Sequence, residues 1–165
     1  MKKLSGVIAL LALLSIEGCQ DQNAGASKTD ELAGTTMKVP GLPGTWKLIS
    51  GTLIEKGDTT VTDYTTGKSF IKIINDTHFA FLLHDLKQGK DSSAVYSSGG
   101  GTYTLSDSSY TEHLEYCSDR TWEGHDFPFT ITISNDTLTQ QGREKIEANG
   151  IDRLNIERYV RVGSN

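Results

Sequence analysis

Hydrophobic and polar residues alternate with a period of two along much of the chain after residue 44, which is the repeat of a strand whose two faces differ. Residues 110-116 show the pattern, with Tyr110, Leu114 and Tyr116 on one face. Short clusters of Gly, Asn, Asp and Ser separate such segments and are typical of tight turns. The pattern predicts eight strands, at residues 44-54, 70-74, 78-83, 101-105, 110-116, 127-134, 138-141 and 154-162.

The connections between these strands are short. Asn-Asp-Thr occurs at 75-77 and again at 135-137, each time between an aliphatic strand and a return strand, and predicts a hairpin turn. A short extra strand or a lid segment is expected at 61-64, and a helical turn at 143-148.

Eight consecutive strands with short connections form an antiparallel meander. Closure into a barrel removes the unpaired edges of such a meander. The predicted fold class is therefore all-β, an antiparallel up-and-down eight-stranded barrel; a two-sheet sandwich is the alternative. A barrel of this size has room inside for side chains or for one small ligand.

The N-terminus has the pattern of an export signal. Lys2 and Lys3 precede an apolar run at 7-16, which is too short to span a bilayer and fits the core of a signal peptide. The run ends in Ile16-Glu17-Gly18-Cys19, which resembles the lipobox of bacterial lipoproteins, although Glu17 departs from the usual small or apolar residue.

That resemblance implies cleavage before Cys19 and acylation of its thiol and new amine, which would anchor the chain in a membrane. Ordinary secretion with an incidental cysteine is the alternative. Gln20 is not the Asp associated with inner-membrane retention in enteric bacteria, so the outer membrane is favoured and the leaflet stays open.

Three segments follow from these patterns. Residues 1-18 are the predicted signal peptide. Residues 19-43 hold the lipidated Cys19 and a flexible linker, because this stretch lacks an apolar period and is rich in small and polar residues. Residues 44-162 are the predicted barrel domain.

Composition limits the class of partner. The net charge is -5, with 16 Lys and Arg against 21 Asp and Glu, which argues against nucleic-acid binding because phosphate recognition uses clustered cations. Two cysteines exclude a disulfide framework and a zinc site made of several cysteines. Composition does not predict an oligomeric state.

The two ends of the predicted barrel carry a family resemblance. Gly44-Thr45-Trp46 opens the first strand and Ile156-Glu157-Arg158-Tyr159-Val160 lies in the last. This resembles the lipocalin pattern and implies a barrel closed by an Arg over Trp46, with Arg158 as the first candidate and Arg161 as the second. The segments DTHFAFLLHD and SSGGGTYTLSDSSYTEHLEY are similar to small lipocalin-like proteins common in Bacteroidetes. The C-terminal helix and the disulfide of typical lipocalins are not predicted here.

The strand at 110-116 holds the candidate ligand-binding residues. Tyr110, Glu112, Leu114 and Tyr116 share one face, and Trp122 follows in the next loop. If this face points inward, Glu112 becomes a polar group in an aromatic-lined cavity, and burial raises its pKa unless it is paired. Glu112 then either orients a ligand, acts as an acid or base, or forms a structural ion pair with Arg158.

No catalytic residue, metal site or cofactor is predicted. The four histidines, at 78, 84, 113 and 125, lack the spacing of a helical zinc site. Cys117 has no His or Asp placed beside it by the sequence and is expected to be a buried structural thiol. Gly67-Lys68-Ser69 lacks the first glycine of a phosphate-binding loop. Gly99-Gly100-Gly101 is expected to start a strand with a bulge or a close backbone contact.

Three functions remain open from the sequence. The first is a non-enzymatic cell-envelope lipoprotein whose barrel binds a small hydrophobic or amphipathic ligand. The second is a structural or interaction module of the envelope with a filled barrel. The third is an enzyme that uses Glu112 or a histidine within the cavity.

Overall fold

The structure is a computed structural model and describes residues 41–163. The predicted signal peptide, Cys19 and the linker up to residue 40 lie outside the described residues. Within them, the chain forms nine strands and two short 3₁₀ helices. The strands are β1 Gly44–Glu55, β2 Asp58–Asp63, β3 Lys68–Ile74, β4 His78–Asp85, β5 Tyr96–Ser106, β6 Ser109–Cys117, β7 His125–Ser134, β8 Thr137–Ile146 and β9 Ile151–Arg161.

Eight of these strands close into an antiparallel up-and-down barrel. From β3 to β9 each strand pairs with the next, β1 pairs with β3, and β9 returns to pair with β1. The predicted all-β barrel is therefore confirmed, and the two-sheet sandwich is excluded. The extra strand expected at 61-64 is β2, which pairs with residues 50-55 of β1.

The turns form where the sequence predicts them. Between β3 and β4, the Asn75 side chain accepts hydrogen bonds from the backbone N–H groups of Thr77 and His78, at 2.9 and 2.7 Å. Between β7 and β8, Asn135 adopts the left-handed conformation with φ 52°. Both turns depend on the tolerance of Asn for local side-chain bonding or positive φ.

The connection between β8 and β9 differs from expectation. Residues 143-146, assigned to a helical turn, continue β8 and pair with residues 151-154 of β9. Only Glu147–Asn149 forms a 3₁₀ turn. The helical prediction was wrong because pairing with β9 supplies the backbone hydrogen bonds that a helix would otherwise provide.

Two bulges reset which face of a strand points inward. Ile49 is the extra residue of β1 opposite β9, so Trp46 and Leu48 face the interior before it and Gly51 and Leu53 after it. Glu115 is the extra residue of β6 opposite the glycine run of β5. A bulge shifts the two-residue alternation by one position.

The glycine run lies within β5 and makes the close backbone contact that the sequence predicts. A Cβ at Gly101 would lie 2.0 Å from the His113 carbonyl oxygen. Only glycine can occupy this position beside the bulge without moving β6.

Arg161, not Arg158, covers the tryptophan at the closed end. The Arg161 guanidinium carbon lies 4.0 Å from the centroid of the fully buried Trp46 ring. The prediction of Arg158 was wrong because Asn155 and Tyr159 are the buried residues of β9, so the inward face is the odd-numbered one. Arg158 lies opposite Ser50 and is exposed.

Residues 41-43 belong structurally to this closed end, although the sequence assigns them to the linker. Leu42 is buried, and its carbonyl accepts a hydrogen bond from the Trp46 indole at 2.9 Å. Arg161 donates hydrogen bonds to the carbonyls of Gly41 and Pro43. Arg161 therefore joins the chain entering the barrel to its last strand.

We expect Arg161→Ala to lower the free energy of unfolding by about 1–3 kcal/mol, because it removes a cation–π contact and two carbonyl hydrogen bonds. Arg158→Ala is the matched control on the same strand and should change stability by less than about 0.5 kcal/mol. Urea unfolding of both variants measures the difference, and equal losses would contradict the assignment of Arg161.

Candidate functional site

The interior of the barrel contains a cavity of about 340 Å³. This volume lies at the small end of the range for ligand pockets, about 300–1,000 Å³. Much of its wall is aromatic or aliphatic, with side chains from five strands, from Tyr64 after β2 and from the loop after β6. The apolar lining includes Leu53, Tyr64, Phe70, Phe81, Leu114, Trp122 and Phe127.

A buried lysine crosses the interior beside this cavity. Lys72 of β3 is 2% exposed, and its Nζ lies 2.6 Å from Glu112 Oε1 on β6 and 3.1 Å from Gln140 Oε1 on β8. Glu157 Oε2 on β9 lies 3.9 Å from the same nitrogen. One ammonium therefore links four strands through side chains that also line the cavity.

The charge on Lys72 survives its burial. Desolvation opposes the ammonium, but the neighbouring carboxylates of Glu112 and Glu157 raise the pKa of Lys72 above its usual value. Burial raises the pKa of Glu112, and the Lys72 cation counteracts that rise. The ammonium also lies 5.6 Å from the ring centroid of Phe79 and 5.5 Å from that of Tyr159.

A second ion pair lies on the cavity wall between β8 and β9. Glu144 accepts hydrogen bonds from Arg153 Nε and from Asn155 Nδ2, each at 2.7 Å. The Arg153 guanidinium carbon lies 5.0 Å from the centroid of Trp122, in the 3₁₀ turn Arg120–Trp122. Arg153 thus connects the wall to the loop that carries Trp122.

Glu157 has no comparable cation within the described residues. Its carboxylate accepts a hydrogen bond from the Tyr159 hydroxyl at 2.7 Å, and its nearest cation is the Lys72 ammonium, which is closer to Glu112. Burial and the Glu157 carboxylate raise the pKa of Tyr159 well above its usual value, so this hydroxyl keeps its proton.

Gln140 contributes a buried donor without a partner among residues 41–163. Its Oε1 accepts from Lys72, but its Nε2 makes no hydrogen bond, although Gln140 is 1% exposed. An unsatisfied buried donor costs about 1–3 kcal/mol. The Tyr110 hydroxyl also makes no well-formed hydrogen bond, and burial raises the pKa of Tyr110 well above its usual value.

Three of the five residues that the sequence singled out as ligand-lining do line the cavity, and two do not. Glu112, Leu114 and Trp122 line the cavity. Tyr110 points inward but is fully buried in the packed core and is not part of the lining. Tyr116 is 68% exposed, so its assignment was wrong.

The bulge at Glu115 explains the position of Tyr116. It turns Tyr116 outward and places Cys117 in the cavity wall instead. Burial raises the pKa of the Cys117 thiol. The charged partner of Glu112 in the structure is Lys72 and not Arg158.

The sequence analysis missed most of the polar lining: Lys72, Gln140, Glu144, Arg153, Asn155 and Glu157. Lys72 shares one face of a predicted strand with Phe70 and Ile74, but Ile71 and Ile73 make the other face at least as apolar, so the sequence gives no signal that Lys72 points inward. A signal for Gln140 was present, because it shares a face with Leu138, the apolar residue of the predicted strand 138-141. On β9 the alternation pointed the wrong way, since the outward residues Leu154, Ile156 and Val160 are the more apolar ones.

The histidines do not form a recognisable centre. Within the part of the chain that the structure describes, no three His, Cys, Asp or Glu side chains are arranged to hold a metal ion. His113 on β6 instead pairs with Asp126 on β7, Nδ1 to Oδ1 at 2.7 Å, outside the barrel cavity.

Comparison with known proteins leaves the chain without a family assignment. No protein-family model matches it, and no curated protein matches it significantly in sequence. Between residues 41 and 163 no helix is both long and apolar enough to cross a membrane.

We expect Lys72→Met to destabilise the protein by about 3–5 kcal/mol at neutral pH, because it leaves the Glu112 carboxylate buried without its cation. The double variant Lys72→Met/Glu112→Leu should recover much of that loss. Urea unfolding of wild type, both single variants and the double variant forms the thermodynamic cycle. Additive effects of the two substitutions would contradict a direct pair.

The penalty of Lys72→Met should also grow as pH rises above about 4.5, the ordinary pKa of a glutamic acid. Without the cation, burial holds the pKa of Glu112 above its value in the unfolded chain. Between those two pKa values the folded variant keeps a proton that the unfolded chain has lost, so its stability falls as pH rises from one to the other. Unfolding at acidic and neutral pH measures this trend; a penalty independent of pH would exclude Glu112 as its source.

Proposed function

We propose that this protein is a cell-envelope lipoprotein, anchored through Cys19, whose lipocalin-like barrel binds a small hydrophobic or amphipathic ligand without catalysing a reaction. The observation that carries the binding role is the cavity of about 340 Å³, which combines aromatic walls with a small set of polar groups. This combination is typical of small-molecule sites, in which apolar walls supply affinity and polar groups fix orientation.

Two further observations support the proposal. The last strand supplies an Arg over the Trp46 ring at the closed end, which is the arrangement implied by the resemblance to lipocalins. The lipobox-like motif Ile16-Glu17-Gly18-Cys19 comes before the barrel in sequence, and a stretch rich in small and polar residues lies between them. Fold does not determine function, so the ligand-binding role depends on the cavity itself.

A second candidate is a non-catalytic interaction module of the envelope. It is favoured by exposed apolar side chains on the outer face of β3 to β6, where Ile73 is 42%, Leu82 39% and Tyr116 68% exposed. Contiguous exposed apolar surface marks interaction sites. This role would use the outside of the barrel and not its cavity.

Native mass spectrometry of the purified, naturally processed chain tests ligand binding. We expect a ligand-sized extra mass that is lost on denaturation. Leu53→Trp, which places a larger side chain in the cavity wall, should abolish the extra mass, whereas Val61→Trp on the exposed face of β2 should retain it. A bare protein mass, unchanged after exposure to lipid and metabolite extracts, would contradict the binding role.

Cell fractionation tests the anchor separately. We expect the wild-type chain to sediment with membranes and to incorporate a labelled fatty acid, because multiple acyl chains give durable attachment. Cys19→Ser should abolish incorporation, whereas Cys117→Ser should not. Equal labelling of wild type and Cys19→Ser would refute lipidation at Cys19.

A further inference from the structure

The ionisable groups of the cavity do not balance. Among residues 41–163, its lining holds four carboxylates, from Glu112, Asp119, Glu144 and Glu157, and two cations, from Lys72 and Arg153. Glu112 is paired with Lys72 at 2.6 Å and Glu144 with Arg153 at 2.7 Å. Of the other two, Asp119 caps the 3₁₀ turn by accepting hydrogen bonds from Thr121, and Glu157 on β9 has a side chain that is 16% exposed.

The unpartnered amide lies beside this carboxylate. Gln140 and Glu157 are directly opposite each other in the pairing of β8 with β9. Gln140 Nε2 is a buried donor with no partner among the described residues, and Glu157 is an acceptor with a negative charge. Adjacent donor and anionic acceptor groups are complementary to a ligand head that carries both a cation and a hydrogen-bond acceptor.

The apolar walls specify the rest of the ligand. Phe70 and Phe81 stack with ring centroids 5.7 Å apart, and Trp122 packs on Phe127 at 5.6 Å. All four rings line the cavity. Aromatic faces attract cations as well as apolar groups, so these walls suit the organic body of an amine.

Resting on the ligand-binding role proposed above, we propose that the cavity selects small organic cations: an amine on an aromatic or aliphatic body, with its ammonium at Glu157 and an adjacent acceptor at Gln140. A fatty acid or another organic anion is disfavoured, because both cations of the lining are already paired, with Glu112 and Glu144, and the lining carries an excess of carboxylates. The selectivity is therefore opposite to that of a fatty-acid carrier.

Three probes with one ring system and different charges test this selectivity: 1-naphthylmethylamine, 1-naphthylmethanol and 1-naphthoic acid. Calorimetric titration of the naturally processed chain at neutral pH gives a Kd for each. We expect the amine to bind roughly tenfold or more tightly than the alcohol, since a hydrogen bond to a charged group exceeds a neutral one by that order. The acid should bind most weakly.

Glu157→Gln tests the assigned residue. It should bring the affinities of amine and alcohol close together while leaving the alcohol unchanged. Glu147→Gln is the matched control, because it removes the same charge from a side chain that is 80% exposed in the 3₁₀ turn after β8. It should preserve the preference for the amine. A full preference for the amine in Glu157→Gln would overturn the role of Glu157.

The outcomes separate the two proposals. If the alcohol or the acid binds as tightly as the amine, selectivity for cations is overturned and the binding role stands. If none of the three probes binds and native mass spectrometry shows a bare protein, the binding role fails and selectivity fails with it. The wild-type comparison decides selectivity even if a variant does not fold.

Discussion

The interior of this barrel depends on one desolvated ammonium. Lys72 extends from β3 and meets polar groups of β6, β8 and β9, so a single cation is shared by strands on different sides of the wall. Burial of a charge is tolerated only with close partners, and breaking such a pair leaves a costly uncompensated group. The partners must therefore come from inward positions of these strands, which fixes their register. Polar side chains then line a cavity that would otherwise be apolar.

This polar layer differs in character from the packed end of the barrel. Around Trp46 the core is apolar and is completed by Leu42 and by the Arg161 guanidinium over the indole. Aromatic walls and paired charges line the cavity. Stability can thus be concentrated at the end where β1 begins and β9 ends, and the polar lining is available for recognition.

The sequence predicts the architecture better than the lining. Alternation and turn residues identify the eight strands, and eight consecutive strands with short connections favour closure into a barrel. Assigning the inward faces requires knowledge of the bulges: Ile49 and Glu115 each shift the alternation, and neither residue has a local signal for doing so. Tyr116 was therefore placed inside, although Glu112 and Leu114 were placed correctly.

The choice of Arg158 over Arg161 failed for another reason. On β9 the aliphatic residues Leu154, Ile156 and Val160 face outward, whereas Arg153, Asn155 and Glu157 face inward because the inner face borders the charged groups of the cavity. Alternation on β3 does not select the face of Lys72 over that of Ile71 and Ile73, and the partners of Lys72 are distant in sequence. Glu112 is 40 residues away and Gln140 is 68 residues away. Only the three-dimensional pairing brings them together.

Closure between β1 and β9 also has a kinetic consequence. Trp46 is paired with Arg161, so the first barrel strand cannot find its final neighbour until the last one has been synthesised and released. Contacts between the two ends of a chain require loop closure before they contribute, and such non-local contacts slow the search for the native state. Until then β1 has an open edge, and β9 lacks a neighbour on one side. Unpaired strand edges can pair with another chain, so the final closure is the step at which misfolding by intermolecular strand exchange would compete.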